Sequence, residues 1–517
     1  MKLRAKPFSL EVGGKYIVIL NKQDAEFLGL HALDRVKVKR GKEELIAIVN
    51  ITEKFAEPGE IVTNNEVSLF FNLRLGDELD VTPAERPKSV SYIKHKIVGG
   101  RLEPDKIRTI IQDVVDKNLS DIELAAFITA LDTRGLSMDE IENLSRAMVE
   151  TGKTLNFKAK FICDKHSCGG IPGDKTSLLV VPIVAAAGLT IPKTSSRAIT
   201  SPAGTADRME VLAPVNLTAD EIIKIVKKTK GCLTWGGALD LAPADDAFVQ
   251  IEYPLGIDPL MLPSIISKKK AVGAKYVIID IPTGRGAKIK TVGTAHELAD
   301  DFIRLGNRLG MNIACAITFG EQPLGYCIGP ALEAQEALLT LQGRGPADLI
   351  EKVTSVVGVL FDLIGVDTKS GKQIALDILK SGKAEKKFRE IIAEQGGNPK
   401  IKVGEIPLGD KRIEIKAENE GRVLWIKNAE IAAIAREAGA PKDNGAGIKL
   451  AVKINSNVKK GDTLFTIFSS STTKLNSAAK LVKDYEPLVV GKTLEERMLL
   501  DRVPTKFPHR RLFMLER

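Results

Sequence analysis

Short runs in which apolar and polar residues alternate open the chain, at Tyr16 to Leu20, Arg35 to Lys39, Glu44 to Val49, Glu60 to Thr63 and Glu78 to Val81. A period of two predicts half-buried strands, so residues 1–86 read as a small β-barrel-like domain. Thr82, Pro83 and Pro87 mark a polar linker, and beyond it the apolar period becomes 3.6. Ile107, Ile110, Ile111, Val114 and Val115 share one helical face. Ser120 with Glu123, and Ser137 with Glu140, have capping-box spacing and predict two further helix starts, with Gly152 as the C-cap of the last. Residues 87–157 therefore read as a helical domain.

From about Ala159 the texture becomes α/β. The apolar run Phe161 to Cys163, a glycine loop, the helix-like Ser177 to Ala187, and the strand-like runs Tyr276 to Ile281 and Asn312 to Phe319 predict a central, mostly parallel α/β domain over 158–404. Arg422 to Ile426, Lys449 to Ile454 and Thr463 to Ile467, with a turn at Lys459 to Asp462, predict a lipoyl-like α+β barrel domain over 405–517. It has no lysine flanked in the biotin or lipoate manner, so its expected role is structural. The fold class is α/β with all-β appendages.

Composition narrows the function. With 517 residues, 44% hydrophobic and 27% charged, the chain can bury several cores. No run approaches the ~18 apolar residues of a membrane span, and the N-terminus lacks a secretory apolar region, so a cytoplasmic protein is expected. Five scattered cysteines without paired metal spacing predict reduced thiols and no metal site. Net charge is +9, which suits phosphate-bearing ligands. A nucleic-acid-binding role for the N-terminal barrel is the reading that a basic pI invites, but 5% aromatic content and the lack of a basic cluster speak against it. Abundant Lys and Glu fit a heat-adapted surface.

The densest chemical signal is Asp164-Lys165-His166-Ser167-Cys168-Gly169-Gly170-Ile171-Pro172-Gly173-Asp174-Lys175-Thr176-Ser177. Here a strand ends, glycines expose backbone amides and a helix begins, an arrangement suited to an anion. It lacks Walker spacing. A second cluster, Ser195-Ser196-Arg197-Ala198-Ile199-Thr200-Ser201 through Gly204-Thr205-Ala206-Asp207-Arg208-Met209-Glu210, follows the next apolar segment. Adjacent parallel strands would deliver both loops to one sheet edge, where ligands of open α/β folds sit.

Together the two clusters resemble the loops of the thymidine and pyrimidine type of nucleoside phosphorylase, K-H-S-x-G-G and S-[GS]-R-[GA]-[LIV]…G-T-x-D-x-[LIV]-E. The likeness extends to Leu241-Ala242-Pro243-Ala244-Asp245, to Ser264-Ile265-Ile266-Ser267-Lys268-Lys269 and to the C-terminal barrel. Pro192 to Thr200 and the extra N-terminal domain are most similar to the archaeal AMP phosphorylases. The resemblance implies phosphorolysis of AMP, with CMP and UMP as further substrates, to a free base and ribose 1,5-bisphosphate, feeding ribulose 1,5-bisphosphate formation. It implies inorganic phosphate as co-substrate with no cofactor, a helical domain completed by about residues 240–270, hinges at Gly231 and Gly236-Gly237, and a homodimer or larger homo-oligomer.

Carried over residue by residue, the resemblance gives inorganic phosphate to Lys165, Ser167, Ser177, Ser195 and Thr205, with backbone contacts from Gly169 and Gly170. It lays the nucleotide across Gly170, Ser196, Arg197, Ala198, Ile199, Thr200 and Ser201, and on to Thr205, Ser264 and Lys288. Asp258 becomes the proton donor and His166 a neighbour of the reacting centre, either catalytic or bracing the loop. Lys288 leads for the 5′-phosphate, with Arg197 and Lys193 as alternatives. Two departures matter. Gly170-Ile171-Pro172-Gly173-Asp174 is one residue longer than in the pyrimidine enzymes, and no Lys or Arg lies between Asp245 and Ile266, where those enzymes hold the base with an arginine. Acids stand there instead, which suits a purine leaving protonated at N7. A pyrimidine nucleoside phosphorylase is the alternative reading.

Overall fold

The computed structural model describes residues 1–198, 201–366 and 370–492. Six strands near the N-terminus close into a barrel in the order Lys2–Pro7, Glu60–Thr63, Ile17–Asn21, Glu43–Thr52, Arg35–Arg40, Glu78–Pro83. Leu3, Ala5, Val18, Leu20, Val36, Val38 and Val81 point inward and are buried, while the intervening charged residues face out. The strand Lys2–Pro7 escapes the sequence reading because its inward positions are only Leu3 and Ala5 between charges.

Helices Lys88–Ile97, Pro104–Val115, Asp121–Arg134 and Met138–Glu150 pack with Pro243–Leu255 around a core that includes Ile107, Phe127, Leu144 and Phe248. Both capping boxes form, each serine accepting from the amide three residues on. Gly152 has a different role from the expected cap. The helix ends on Thr151, and a Cβ at Gly152 would lie 2.2 Å from the Leu241 carbonyl oxygen, so glycine lets the Leu241 loop approach.

The central strands are parallel. Asn312–Phe319, Tyr276–Thr283 and Cys163–Ser167 form one sheet, Ile191–Ser195 and Gly231–Trp235 another, and a single bridge from Ile162 to Thr190 joins them. The resulting order reverses direction at the strand Cys163–Ser167, a topology that leaves a crevice at the carboxyl ends of the strands. Helix Thr176–Ala186 is apolar on all sides, and it is buried against Ala347–Ile364 and Lys383–Glu394. Gly231 opens a buried strand, packed against Val181, and is no linker.

The C-terminal region, expected as a lipoyl-like α+β barrel, forms two sheets. Lys411–Lys416, Thr463–Ser469 and Gly447–Leu450 pair with Cys327–Ile328, while Gly421–Ile426 pairs with Asn457–Val458 and Leu488–Gly491. Helix Asn428–Glu437 follows its strand directly and buries Ile431, Ile434 and Ala435 in one core with residues of both sheets. The strand expected at Lys449 to Ile454 stops at Leu450.

Candidate active site

A cavity of about 830 Å³ opens at the carboxyl ends of the central strands. Its floor carries Lys165, His166, Ser167, Gly169 and Gly170 from the first glycine loop and Ser177 from the helix behind it. Ser195, Ser196, Arg197, Ala198, Ser201 and Thr205 form a second wall, and Ser264 and Lys288 stand with them. Ile199 and Thr200 lie outside the described residues. Asp258 does not line the cavity; it forms an ion pair with Lys288 at the rim, where both side chains are well exposed.

Each loop is held by specific bonds. Lys165 Nζ donates to Thr176 Oγ1 at 2.6 Å and lies 3.8 Å from both Asp174 and Asp280. Asp280, fully buried on the neighbouring strand, accepts from Ser167 Oγ at 3.0 Å and Thr318 Oγ1 at 2.6 Å, and pairs with Lys352 at 3.0 Å. Although burial opposes it, the Lys165 and Lys352 ammoniums hold the Asp174 carboxyl well below the usual carboxylate range. Gly169 has φ +67°, and a Cβ there would meet Lys288 Cβ at 2.4 Å, so the loop and the Lys288 stem require glycine.

In the second loop Asp207 accepts from the amides of Ala198 at 2.7 Å and Gly204 at 2.8 Å. A side chain at Gly204 would press on the backbone of Ser196 to Ala198 at 2.6–2.7 Å. The G-T-x-D-x-x-E pattern thus has a physical basis: Gly204 permits the close approach, Asp207 ties the loop, and Glu210 takes the Arg197 guanidinium at 2.6 Å. Arg197 also lies over Trp235, 5.1 Å from its ring centre, so it is already engaged in three directions.

His166 is pushed well below its ordinary value of 6.5, first by burial and then by the charges of Lys269, Lys193, Lys165 and Lys268. It is a neutral imidazole near pH 7. The opposite wall comes from Leu241, Ala242, Asp246 and Val249 and from Lys268 and Lys269 of helix Met261–Ala271. Behind the floor, the buried carboxylate of Asp164 is shared by Lys269 at 2.8 Å and Lys193 at 3.5 Å. On the rim side, the loop carrying Lys288 is braced from the C-terminal region: Arg285 stacks 3.3 Å over Trp425, and Asn428 Nδ2 donates to the Gly286 carbonyl at 3.4 Å. Among the described residues no group of three or more His, Cys, Asp or Glu could hold a metal ion, and no helix is long and apolar enough to cross a membrane.

The chain is similar to known proteins over nearly its whole length. The helical bundle domain of a glycosyl transferase family matches residues 90–152, the α/β domain of that family matches 159–385, and the pyrimidine nucleoside phosphorylase C-terminal domain matches 423–487. The AMP phosphorylase of Thermofilum pendens is 48% identical over 517 residues, covering all of both chains. Its counterpart in Thermococcus kodakarensis is 51% identical over 95% of this chain and 97% of its own. The chain belongs to the AMP phosphorylase family. In fold, a solved anthranilate phosphoribosyltransferase from Thermus thermophilus is similar over 59% of this chain and 98% of its own, with a TM-score of 0.50 at 20% identity.

Seen within that family, the sequence reading left several residues of this site without a role. Lys268 supplies a cation on the wall where none was expected, held by Asp245 at 2.5 Å. The S-I-I-S-K-K motif contained it, and helical spacing from Ser264 to Lys268 puts both on one face, so the signal was present. Asp164, Asp280 and Lys352 meet the site only through tertiary packing. Gly236 begins a tight turn, and Gly237 lies under the Trp235 ring, where a Cβ would come within 2.6 Å.

Glu252, near Asp258 and Asp245, is pushed up to about 8 from an ordinary 4.5, by burial first and then by those two carboxylates. The native state therefore holds a proton that the unfolded chain releases above 4.5, so this residue's contribution to stability falls as pH rises from 4.5 to about 8. Glu252→Gln keeps the acceptor for the Leu260 amide and removes the titration. Melting profiles should show the variant gaining a few degrees over the parent above pH 8 and no advantage near pH 4.5; a constant offset would refute the assignment.

Proposed function

We propose that this chain is a phosphorylase of nucleoside 5′-monophosphates, converting AMP and inorganic phosphate to adenine and ribose 1,5-bisphosphate, with CMP and UMP as further substrates. The observation that carries the reading is one cavity into which two glycine- and hydroxyl-rich loops and a separate lysine-bearing rim converge, on a chain of the AMP phosphorylase family. Phosphate and the nucleotide's own phosphate need two such places.

In this reading Lys165, Ser167, Ser177, Ser195 and Thr205 hold inorganic phosphate, with the amides of Gly169 and Gly170. The nucleotide lies across Gly170, Ser196 to Ser201, Thr205 and Ser264, with Lys288 on its 5′-phosphate. A phosphate oxygen attacks C1′ and forms the new C–O bond; the C1′–N9 bond breaks, its electron pair goes to the base, and a proton that Asp258 has taken from water after leaving Lys288 reaches the departing adenine. The site contributes alignment, an anion beside the developing positive charge on the ribose, and a proton. Neutral His166 donates or accepts a hydrogen bond rather than supplying charge. No cofactor enters the scheme.

Asp258 reaches the base only if the rim moves inward. The reading therefore divides the chain at 1–86, 87–157 with about 240–270, 158–404 and 405–517, with the helical part closing over the sheet. Nucleotide phosphate competing for Lys288 would release Asp258 from its ion pair during that closure. Self-association belongs to the same reading and is supported by large apolar side chains left bare on the N-terminal barrel: Phe27, Leu69 and Leu75 are each 79% exposed.

A substrate panel tests this function: phosphate-dependent base release from AMP, CMP, UMP, adenosine and thymidine in parallel. The expected result is release from monophosphates alone. Turnover of thymidine with AMP untouched would replace this reading by the pyrimidine nucleoside enzyme.

A further inference from the structure

At the rim, the expected acid and the expected 5′-phosphate ligand neutralise each other. Lys288 stands on the loop after strand Tyr276–Thr283 with its stem against Gly169, while Asp258 lies between helices Pro243–Leu255 and Met261–Ala271. The Lys288 ammonium donates to Asp258 Oδ2 and lies 3.8 Å from the Met261 sulfur. A carboxylate held in an ion pair is charged and has no proton to hand to a leaving base. The open site therefore stores its acid in the inactive form, and the substrate must change that form as it binds.

The charges nearby show how it can. Glu252, Asp245 and Asp246 stand on helix Pro243–Leu255, with Lys268 on helix Met261–Ala271. Lys268 is taken by Asp245 at 2.5 Å and lies 4.0 Å from Asp246. Glu252 is buried and neutral near pH 7. Once Lys288 turns away, Asp258 is left beside acids, and an arriving phosphate dianion adds more negative charge; both favour the protonated carboxyl. The exchange is easy to drive. An ion pair this exposed is weak, and a dianion with several acceptor oxygens outcompetes one carboxylate for the lysine.

We propose that the 5′-phosphate is the trigger of the acid: by drawing Lys288 off Asp258 it lets that carboxyl take a proton from the solvent, so that nucleotide and nucleoside are distinguished in turnover as well as in binding. The proposal rests on the phosphorylase reading and adds to it a reason why adenosine stays intact even when bound. No covalent bond changes in the exchange itself. Lys288 keeps its proton, Asp258 gains one from the solvent, and the base receives that proton as the C1′–N9 bond breaks. The trigger then needs no attachment to the ribose: a free dianion at Lys288, beside a bound nucleoside, does the same work.

Adenosine with phosphite dianion as the detached trigger is the test, with adenine release followed at fixed inorganic phosphate and near-saturating adenosine. In the parent, adenosine alone should turn over about 10²- to 10⁴-fold more slowly than AMP, the usual worth of the proton, and phosphite should speed it about 10-fold or more. Phosphite should only slow AMP, by competing with inorganic phosphate. In Lys288→Met, which keeps an apolar stem over Gly169, the carboxyl is free from the start. Adenosine should then turn over about 10-fold faster than in the parent without responding to phosphite, and the ratio of kcat for AMP to kcat for adenosine should shrink. Asp258→Asn should lose the phosphite response. A parent that ignores phosphite, or an adenosine rate unchanged in Lys288→Met, overturns the trigger while AMP phosphorolysis stands. A phosphite response that survives in Lys288→Met puts the dianion on another cation and overturns it equally. If AMP itself is inert in the presence of inorganic phosphate, it is the phosphorylase reading that falls, and the trigger falls with it.

Discussion

Replacing Lys165 by methionine should lower kcat/KM for inorganic phosphate by roughly 10³-fold while leaving AMP binding near its original strength. Loss of one preorganised donor to a reacting oxyanion typically costs about 10²- to 10³-fold. Here the loss is compounded, because Lys165 stands 3.8 Å from each of two buried carboxylates, Asp174 and Asp280. Asp280 keeps Lys352 at 3.0 Å, but Asp174 is left with the Thr176 hydroxyl at 2.6 Å as its near partner, and its charge then repels the phosphate that Lys165 would have attracted. Steady-state kinetics with each substrate varied in turn, alongside a melting curve, separates the two effects. A uniform rise in both KM values with a collapsed melt would mean that Lys165 holds the fold; an unchanged kcat/KM for phosphate would remove it from the anion site.

Asp258→Asn should lower kcat by about 10²- to 10⁴-fold with little change in AMP affinity, since proton transfer to a leaving group is worth that much and the amide cannot supply the proton. The side chain is 40% exposed and paired with Lys288, so its expected contribution lies in the closed complex rather than in the open cavity. Loss of its partner gives a contrast: Lys288→Met should raise KM for AMP much more than it lowers kcat, because Lys288 is read as gripping the 5′-phosphate. If Asp258→Asn turns over normally, the proton comes from elsewhere. Glu252, already pushed up to about 8, is the carboxyl to replace next.

What the sequence revealed and what it hid follow one physical line. Glycine loops declare themselves because the strand, the loop and the helix are contiguous: every described residue expected on phosphate lines one cavity. The capping boxes at Ser120 and Ser137 are equally local and equally legible. Asp164, Asp280 and Lys352 could not be assigned roles in this way, since Asp280 meets Lys352 across 72 positions and its meaning comes from that contact. The C-terminal region shows the same limit. Alternation marked its strands, but only packing shows that Cys327–Ile328 joins Gly447–Leu450 and that a helix shares one core with both sheets. Gly152 reads as a cap by position, whereas its need for glycine comes from the Leu241 carbonyl of a distant segment.

Phosphorus NMR of the complete reaction, with AMP and inorganic phosphate supplied to the purified chain and free adenine followed in parallel by chromatography, tests the central claim most directly. The proposed chemistry predicts that free adenine and one new sugar appear in equal amounts, the sugar carrying two phosphorus signals, one at the anomeric position and one at C5′, as inorganic phosphate declines in step. Ribose 5-phosphate with inorganic phosphate unconsumed would show hydrolysis and contradict it, as would AMP and inorganic phosphate both left unchanged.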